Sequence, residues 1–128
     1  MKKPVDLASG ELVAFVPTKN PERARAFYEG ALGLRCLSSD PFAIVFDANG
    51  TTLRVVRVEE FTPASFTVLG WKVSDIAETA ARLRENGIAF QKFPGLKQDD
   101  NNIWTAPSGT KVAWFLDADG NVLSISED

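Results

Sequence analysis

Few of the residue types that most often carry chemistry occur in this sequence. The chain has no histidine and one cysteine, Cys36, among its 128 residues. Imidazole is the base that usually activates a serine or cysteine nucleophile, and it is a principal ligand of catalytic zinc and non-haem iron. The sequence therefore excludes Ser-His-Asp and Cys-His catalysis, and it excludes histidine-ligated metal sites. Cys36 has no base to activate it, and we expect it to be a buried apolar side chain.

The composition indicates one globular domain with a substantial core, since 45% of the residues are hydrophobic and 24% are charged. Lysine and arginine are scattered and the formal net charge is -3, which disfavours a nucleic-acid partner. No apolar run approaches the roughly 20 residues of a membrane span, and no signal-peptide core follows the first residues. We interpret the chain as a cytoplasmic protein without a membrane partner, and the single cysteine agrees with a reducing compartment.

The elements that must position any site follow the order strand, helix and three strands. Asn20 is a good N-cap, Pro21 suits the first helical position, and Gly33 suits the stop of a predicted helix over residues 20–32. Asn49-Gly50 predicts a tight hairpin. The strands of this first unit are predicted at residues 11–17, 34–37, 42–47 and 51–58.

The same order then begins again. Asp75 and Glu78 form a predicted capping box at the start of a helix that Gly87 ends. Strands are predicted at residues 66–73, 88–93, 111–116 and 121–126, with a short extra strand at residues 103–105.

Three matched signals show that the second half is an altered copy of the first. Asn20 matches Asp75, Gly33 matches Gly87, and Asn49-Gly50 matches Asp119-Gly120, at offsets of 55, 54 and 70 residues. The jump in offset locates an insertion of about 15 residues in the second copy. Its polar loop is a candidate lid, since long loops in compact domains are often functional, although Asp99-Asp100 within it is more typical of solvated acids than of a cation site. The predicted organisation is a leader (residues 1–10), a first unit (11–58), a linker (59–65) and a second unit (66–128) with an inserted loop (95–108).

This duplicated pattern, with PERARAFY at residues 21–28, LGL at 32–34 and FLDADGNVL at 115–123, resembles the vicinal oxygen chelate superfamily. That superfamily includes glyoxalase I, extradiol dioxygenases, fosfomycin resistance enzymes and bleomycin resistance proteins. The resemblance implies an α+β fold in which tandem βαβββ units form a curved, partly closed mixed sheet around a ligand cavity. Another duplicated α+β domain of ferredoxin-like type is the alternative fold.

The resemblance also identifies four positions at which metal-dependent members carry their ligands. In this sequence they hold Val13, Arg54, Val68 and Ser124. None of these side chains suits a metal ion, and an arginine repels a nearby cation strongly in a low-dielectric pocket. The resemblance therefore implies a member without a metal or another cofactor.

Alternation along the strands then predicts which side chains line the cavity, because successive strand residues point to opposite faces. If Val13 points inward, so do Glu11 and Phe15, and similarity to the fosfomycin enzymes places Trp114 inside as well. The predicted ligand-binding residues are Val13, Phe15, Arg54, Val68, Trp104, Trp114 and Ser124. Three alternatives stay open: Arg54 pairs with Glu11 or Asp47, Trp114 is a core or interface residue, and Trp104 only closes the sheet edge.

Two functions fit this cavity. The first is a metal-free protein of the glyoxalase and bleomycin resistance type that sequesters or senses a small, partly apolar compound. The second is a metal-independent lyase or isomerase in which Arg54 stabilises an oxyanion and Glu11 acts as the base. The resemblance also implies a homodimer. It is formed either by two chains that share their troughs, or by chains whose two units pair within one chain and that dock through their sheets.

Overall fold

The computed structural model describes residues 3–128. Met1 and Lys2, the first two residues of the predicted leader, lie outside the described residues. The rest of the leader is exposed and contains a short 3-10 turn, Leu7–Ser9. Within residues 3–128, no helix is both long and apolar enough to cross a membrane.

The first unit forms a four-stranded sheet covered by one helix. Its strands are β1 (Val13–Thr18), β2 (Arg35–Ser39), β3 (Ala43–Ala48) and β4 (Thr51–Arg57), in the sheet order β1-β4-β3-β2. The helix α1 (Pro21–Arg25) continues into a π-helical turn, Ala26–Ala31. β1 runs parallel to β4, and the other neighbours are antiparallel.

The predicted local signals form as expected in this unit. The Asn20 side chain accepts a hydrogen bond from the Arg23 amide at 3.2 Å, which satisfies one free donor at the helix start. Asn49 and Gly50 both have positive φ, 53° and 91°, as a two-residue hairpin turn requires. Asp47 accepts the Gly50 amide at 2.8 Å and so closes the turn.

The second unit repeats this arrangement. Its strands are β5 (Thr67–Lys72), β6 (Trp104–Thr105), β7 (Lys111–Leu116) and β8 (Val122–Glu127), in the order β5-β8-β7-β6, and its helix is α2 (Ile76–Glu85). Asp75 caps α2 by accepting the Glu78 amide at 3.1 Å. The Glu78 carboxylate contacts Arg82 at 3.1 Å, so the described contacts show one half of the predicted capping box.

The prediction of a continuous strand at residues 88–93 is wrong. This stretch touches β7 through an isolated bridge between Phe90 and Phe115 and a hydrogen bond from the Gln91 amide to the Trp114 carbonyl at 2.8 Å. The Phe93 amide instead donates to the Gln98 side chain at 2.8 Å. β6 then continues along the same edge of β7, where Trp104 pairs with Val112. The inserted segment therefore divides the edge strand into two pieces.

The helix-covered faces of the two sheets share one core. The ring of Tyr28 lies 5.8 Å from Phe46 of the first sheet, and Phe27 lies 6.4 Å from Phe115 of the second. Tyr28 and Phe115 are each 1% exposed. Because both helical faces turn toward this core, the opposite face of each sheet is directed away from it. These two surfaces are called the open faces below.

A buried polar network joins the units beside this core. The Tyr28 hydroxyl donates to Asp117 at 2.7 Å, and the Asn121 side chain donates to Asp117 at 2.8 Å and to the Pro17 carbonyl at 3.0 Å. Asp119 accepts the Lys19 amide at 2.9 Å. The turn after β7, which matches the Asn49-Gly50 turn of the first unit, therefore also fastens the second unit to the end of β1.

Candidate functional site

On each open face, three residues on neighbouring strands form a row, and the two rows hold four of the predicted site residues, Phe15, Arg54, Trp114 and Ser124. In the first sheet, Phe15, Arg54 and Val45 lie side by side. In the second sheet, the corresponding row is Gly70, Ser124 and Trp114. The strand registers thus place Arg54 and Ser124 at equivalent positions of the duplicated unit, as the offset of 70 residues predicts.

Arg54 lies exposed in the middle of the first open face, between uncharged side chains. Its lateral neighbours are Phe15 and Val45, and its neighbours along β4 on the same face are Thr52 and Val56. The sequence left open a pairing of Arg54 with Glu11 or Asp47. Asp47 pairs with Arg35 instead, at 3.7 Å.

Glu11 is exposed and precedes the first residue of β1. Among residues 3–128, the ion pairs include none between Glu11 and Arg54. In the part of the chain that the structure describes, no carboxylate lies within 4.0 Å of the Arg54 guanidinium to serve as the base of the lyase or isomerase alternative.

The second open face carries a cluster of aromatic side chains around Trp114. The ring of Trp104 lies 6.0 Å from Trp114, and the ring of Phe93 meets Trp114 edge-on at 5.3 Å. The Trp114 indole N–H donates to the Thr67 hydroxyl at 3.0 Å, which fixes the orientation of the indole. The structure therefore brings together Trp104 and Trp114, the two tryptophans predicted to line the site.

A shallow cavity of about 260 Å³ opens beside this cluster. Its wall includes Phe66, which is 68% exposed, together with Phe93 and Leu96, each 36% exposed. Exposed aromatic side chains grouped around a concavity are typical of a ligand or partner surface rather than of a core. We call this surface, formed by Phe66, Thr67, Phe93, Leu96, Trp104 and Trp114, the aromatic pocket.

The inserted segment builds one wall of the aromatic pocket, and side-chain hydrogen bonds hold that segment in place. Gln98 donates to the carbonyls of Gln91 and Asn102, at 2.9 Å each, in addition to accepting the Phe93 amide. Asp99 accepts the Ile103 amide at 3.0 Å, so this acid caps the loop internally. These bonds fix Phe93 and Trp104 on either side of the segment against Trp114.

Val13 and Val68 lie at the start of the two open faces and are 38% and 39% exposed. Val68 is the extra residue of a bulge in β5, because Thr67 pairs with Val122 and Leu69 with Leu123. The bulge turns Thr67 toward the open face, where it meets Trp114. Within residues 3–128 the strands form two separate sheets, so the two rows lie on different sheets.

Sequence reasoning missed Phe66, Thr67, Phe93 and Leu96. Phe66 and Thr67 were assigned only to a strand, and the β5 bulge that aims Thr67 leaves no pattern in the sequence. Phe93 and Leu96 flank the start of the inserted loop, and the apolar residues bordering a polar insertion were the available signal. A separate apolar cavity of about 180 Å³ lies on the helical side, between Leu32, Leu34, Trp71 and Leu83, away from both open faces.

Comparison with known proteins agrees with this architecture. Residues 11–125 match the Glyoxalase/Bleomycin resistance protein/Dioxygenase superfamily. The chain belongs to this superfamily. A search of curated proteins returns no match.

Solved structures of the superfamily share the fold at low sequence identity. A glyoxalase family protein from Bacillus anthracis is 18% identical, with a TM-score of 0.76 over 100% of this chain and 99% of that chain. A genomically encoded fosfomycin resistance protein from Listeria monocytogenes is 12% identical, with a TM-score of 0.74 over 94% and 93%. A lactoylglutathione lyase from Agrobacterium tumefaciens is 18% identical, with a TM-score of 0.70 over 93% of each chain. The α+β fold of tandem βαβββ units is thereby confirmed.

The residues of this superfamily member do not fit the metal ion that the family resemblance suggests. The four positions at which the resemblance implies metal ligands hold Val13, Arg54, Val68 and Ser124. Within residues 3–128, no three side chains of cysteine, aspartate or glutamate come together in a group that could hold a metal ion. The polar groups in the rows of Arg54 and Trp114 are guanidinium, hydroxyl and indole, and the acids Asp47 and Asp128 each pair with a cation. These groups suit an organic ligand better than a divalent cation.

Proposed function

We propose that this superfamily member is a metal-free protein that sequesters or senses a small, partly apolar compound in its aromatic pocket. The observation that supports this function is the grouping of Trp104, Trp114 and Phe93 beside an open cavity. A site with a mostly apolar wall and few polar groups is usual for small-molecule binding. Thr67 contributes a polar group: its oxygen accepts the indole N–H, and its own proton remains to be donated to a ligand.

A homodimer completes the site in this proposal. The open faces hold exposed apolar side chains, among them Phe15, which is 62% exposed. The equivalent rows are complementary in size: Phe15 corresponds to Gly70, and Val45 corresponds to Trp114. In the proposed dimer, the first open face of one protein molecule covers the second open face of its partner. Large side chains of one face would then pack against small side chains of the other. The ligand would then lie between the two faces.

Tryptophan fluorescence tests the pocket. We expect 2-naphthol to quench the emission of the wild-type protein and to lose most of this effect in Trp114→Phe. Trp71→Phe is the matched control, because Trp71 lies on the helical side, at the separate apolar cavity. Equal quenching in wild type and Trp114→Phe, with a loss in Trp71→Phe, would move the binding site away from the aromatic pocket.

Sedimentation equilibrium tests the homodimer. We expect wild-type protein to sediment as a dimer and Phe15→Lys to dissociate, because the new ammonium would be buried at the interface beside the Arg54 cation. Leu12→Lys is the control, since Leu12 is also exposed and precedes β1. A monomeric wild type would leave the aromatic pocket of one chain as the whole site.

A further inference from the structure

The charges of the two open faces are unequal in one respect. On the second open face, Lys72 pairs with Asp128 at 2.7 Å, and this hydrogen bond raises the pKa of the lysine. On the first open face, Arg35 pairs with Asp47 at 3.7 Å. Arg54 has no carboxylate within 4.0 Å among residues 3–128. Among residues 3–128, Arg54 is therefore the cation of these two faces that is left for an external anion.

The surroundings of Arg54 strengthen this reasoning. Phe15, Val45 and Val56 beside it are apolar, and Thr52 is neutral. The row of Gly70, Ser124 and Trp114 on a covering second copy is uncharged, and Asp128 of that face already pairs with Lys72. Such a cover would remove water from the guanidinium without offering it a free compensating charge. Burying an unpaired charge is costly, so a covered Arg54 requires an anion. A guanidinium presents a planar fork of donors that matches the two oxygens of a carboxylate.

The aromatic pocket carries the other half of the recognition. Trp104 and Trp114 offer indole rings against which a planar ring of a ligand can stack. The row that contains Trp114, together with Gly70 and Ser124, carries no negative charge, and neither does the nearby Thr67 hydroxyl. An anionic ligand therefore meets no repelling carboxylate along that row. The unpaired cation lies on one face and the aromatic rings on the other.

Resting on the function and the dimer proposed above, we infer that the ligand is a planar aromatic carboxylate. Its carboxylate pairs with Arg54 of one copy, and its ring packs against Trp104 and Trp114 of the other. This assigns Arg54 as the residue that selects anionic ligands, and the two tryptophans as the residues that select planar ones.

Calorimetric titration of the intact protein with four naphthalene and decalin probes separates charge from planarity. The probes are 2-naphthoate, 2-naphthol, trans-decahydro-2-naphthoate and trans-decahydro-2-naphthol. We expect 2-naphthoate to bind about ten- to a hundredfold more tightly than 2-naphthol, the range of a charge-assisted pair. The saturated acid should bind more weakly than 2-naphthoate, because it cannot stack.

Variants of Arg54 locate the charge preference. In Arg54→Gln, the affinity for 2-naphthoate should fall to the affinity for 2-naphthol. In Arg54→Lys, the affinity for 2-naphthoate should lie between those of wild type and Arg54→Gln, because lysine keeps the charge and loses the planar fork of donors. Arg57→Gln is the matched control: it removes the same charge from an exposed position of β4 and should leave both affinities unchanged. Circular dichroism confirms that each variant is folded.

The outcomes distinguish this inference from the function on which it rests. Equal affinities of wild type for 2-naphthoate and 2-naphthol would overturn the inference and leave the aromatic pocket standing. A preference for 2-naphthoate that Arg54→Gln retains would also overturn it, by placing the anion elsewhere. If none of the four probes binds, the inference falls together with the proposed function.

Discussion

Tyr28 gives the most incisive test of how the two units are held together. Its hydroxyl is buried and donates to Asp117 at 2.7 Å. Tyr28→Phe deletes this bond and keeps the ring contacts with Phe46 and Phe27. A hydrogen bond to a charged acceptor contributes about 1.5 to 3 kcal/mol. Because Asp117 still accepts from Asn121, we expect a loss of about 1.5 to 2 kcal/mol in the free energy of unfolding.

The expected shift in melting temperature follows from the size of the chain. With about 2.1 cal/mol/K of unfolding entropy per residue, a chain of 128 residues loses about 4 °C for each kcal/mol. Tyr28→Phe should therefore melt about 6 to 8 °C below wild type. Differential scanning calorimetry at pH 7 measures this value directly.

The effect of pH on this difference has a definite sign. Burial, followed by the charge of Asp117 and the hydrogen bond to it, raises the pKa of Tyr28 far above the ordinary phenol value. Above about pH 10 the unfolded chain releases the phenol proton and the folded chain keeps it. The stabilisation from Tyr28 is therefore complete below about pH 10 and falls by about 1.4 kcal/mol per pH unit above it. The advantage of wild type over Tyr28→Phe should shrink accordingly.

The assay is unambiguous because Tyr28 is the only tyrosine in the sequence. Absorbance at 295 nm follows its ionisation, and far-ultraviolet circular dichroism follows unfolding in the same samples. We expect the two alkaline transitions to coincide. Phenolate formation near pH 10 in a protein that remains folded would refute the buried bond, as would a Tyr28→Phe variant that melts within 2 °C of wild type.

Three further predictions concern a close contact in the second sheet, the inserted segment and the binding of metal ions. Gly70→Ala should lower stability, because the new Cβ would lie 2.6 Å from the Ser124 hydroxyl oxygen; urea unfolding should show that Ser124→Ala in the same chain recovers most of the loss. Gln98→Ala should cost about 2 to 3 kcal/mol in urea unfolding by removing three hydrogen bonds to backbone groups, and it should shift tryptophan emission. Lys97→Ala should change neither. A chelator should leave the melting temperature of untagged protein unchanged, and a fall would reveal a metal site built from other residues.

The strands and helices were largely predictable because their signals are local. Asn20 and Asp75 each cap a helix through the side-chain bond that their residue types favour. Asn49-Gly50 forms the predicted hairpin, since positive φ at both positions costs little there. The prediction of a strand at residues 88–93 was wrong because the Phe93 amide donates to the side chain of Gln98, five residues beyond the predicted end. The apolar pattern of the segment does not reveal this hydrogen bond.

The candidate site was predictable only in part, because it depends on contacts between distant residues. The sequence predicts that Arg54 and Trp114 point into the cavity formed by the sheets. The strand registers place both residues on the open faces, the sheet surfaces opposite the helices. Thr67 could not be singled out, since the bulge at Val68 reverses the alternation on which the prediction rested. The bond from Tyr28 to Asp117 spans 89 residues, and no local pattern predicts such a partner.

The duplication itself indicates where function lies. On the helical faces, equivalent positions keep their apolar character: Leu53 corresponds to Leu123, and Phe46 corresponds to Phe115, all buried. On the open faces, the equivalent positions differ in size and charge, and Arg54 corresponds to Ser124.

A shared core requires both copies to keep apolar side chains, because a change in volume there destabilises the fold. The open faces are free of that constraint. The first unit therefore carries an arginine without an ion-pair partner, and the second unit carries the aromatic pocket. This difference between the two units of one chain is the feature from which binding specificity is best argued.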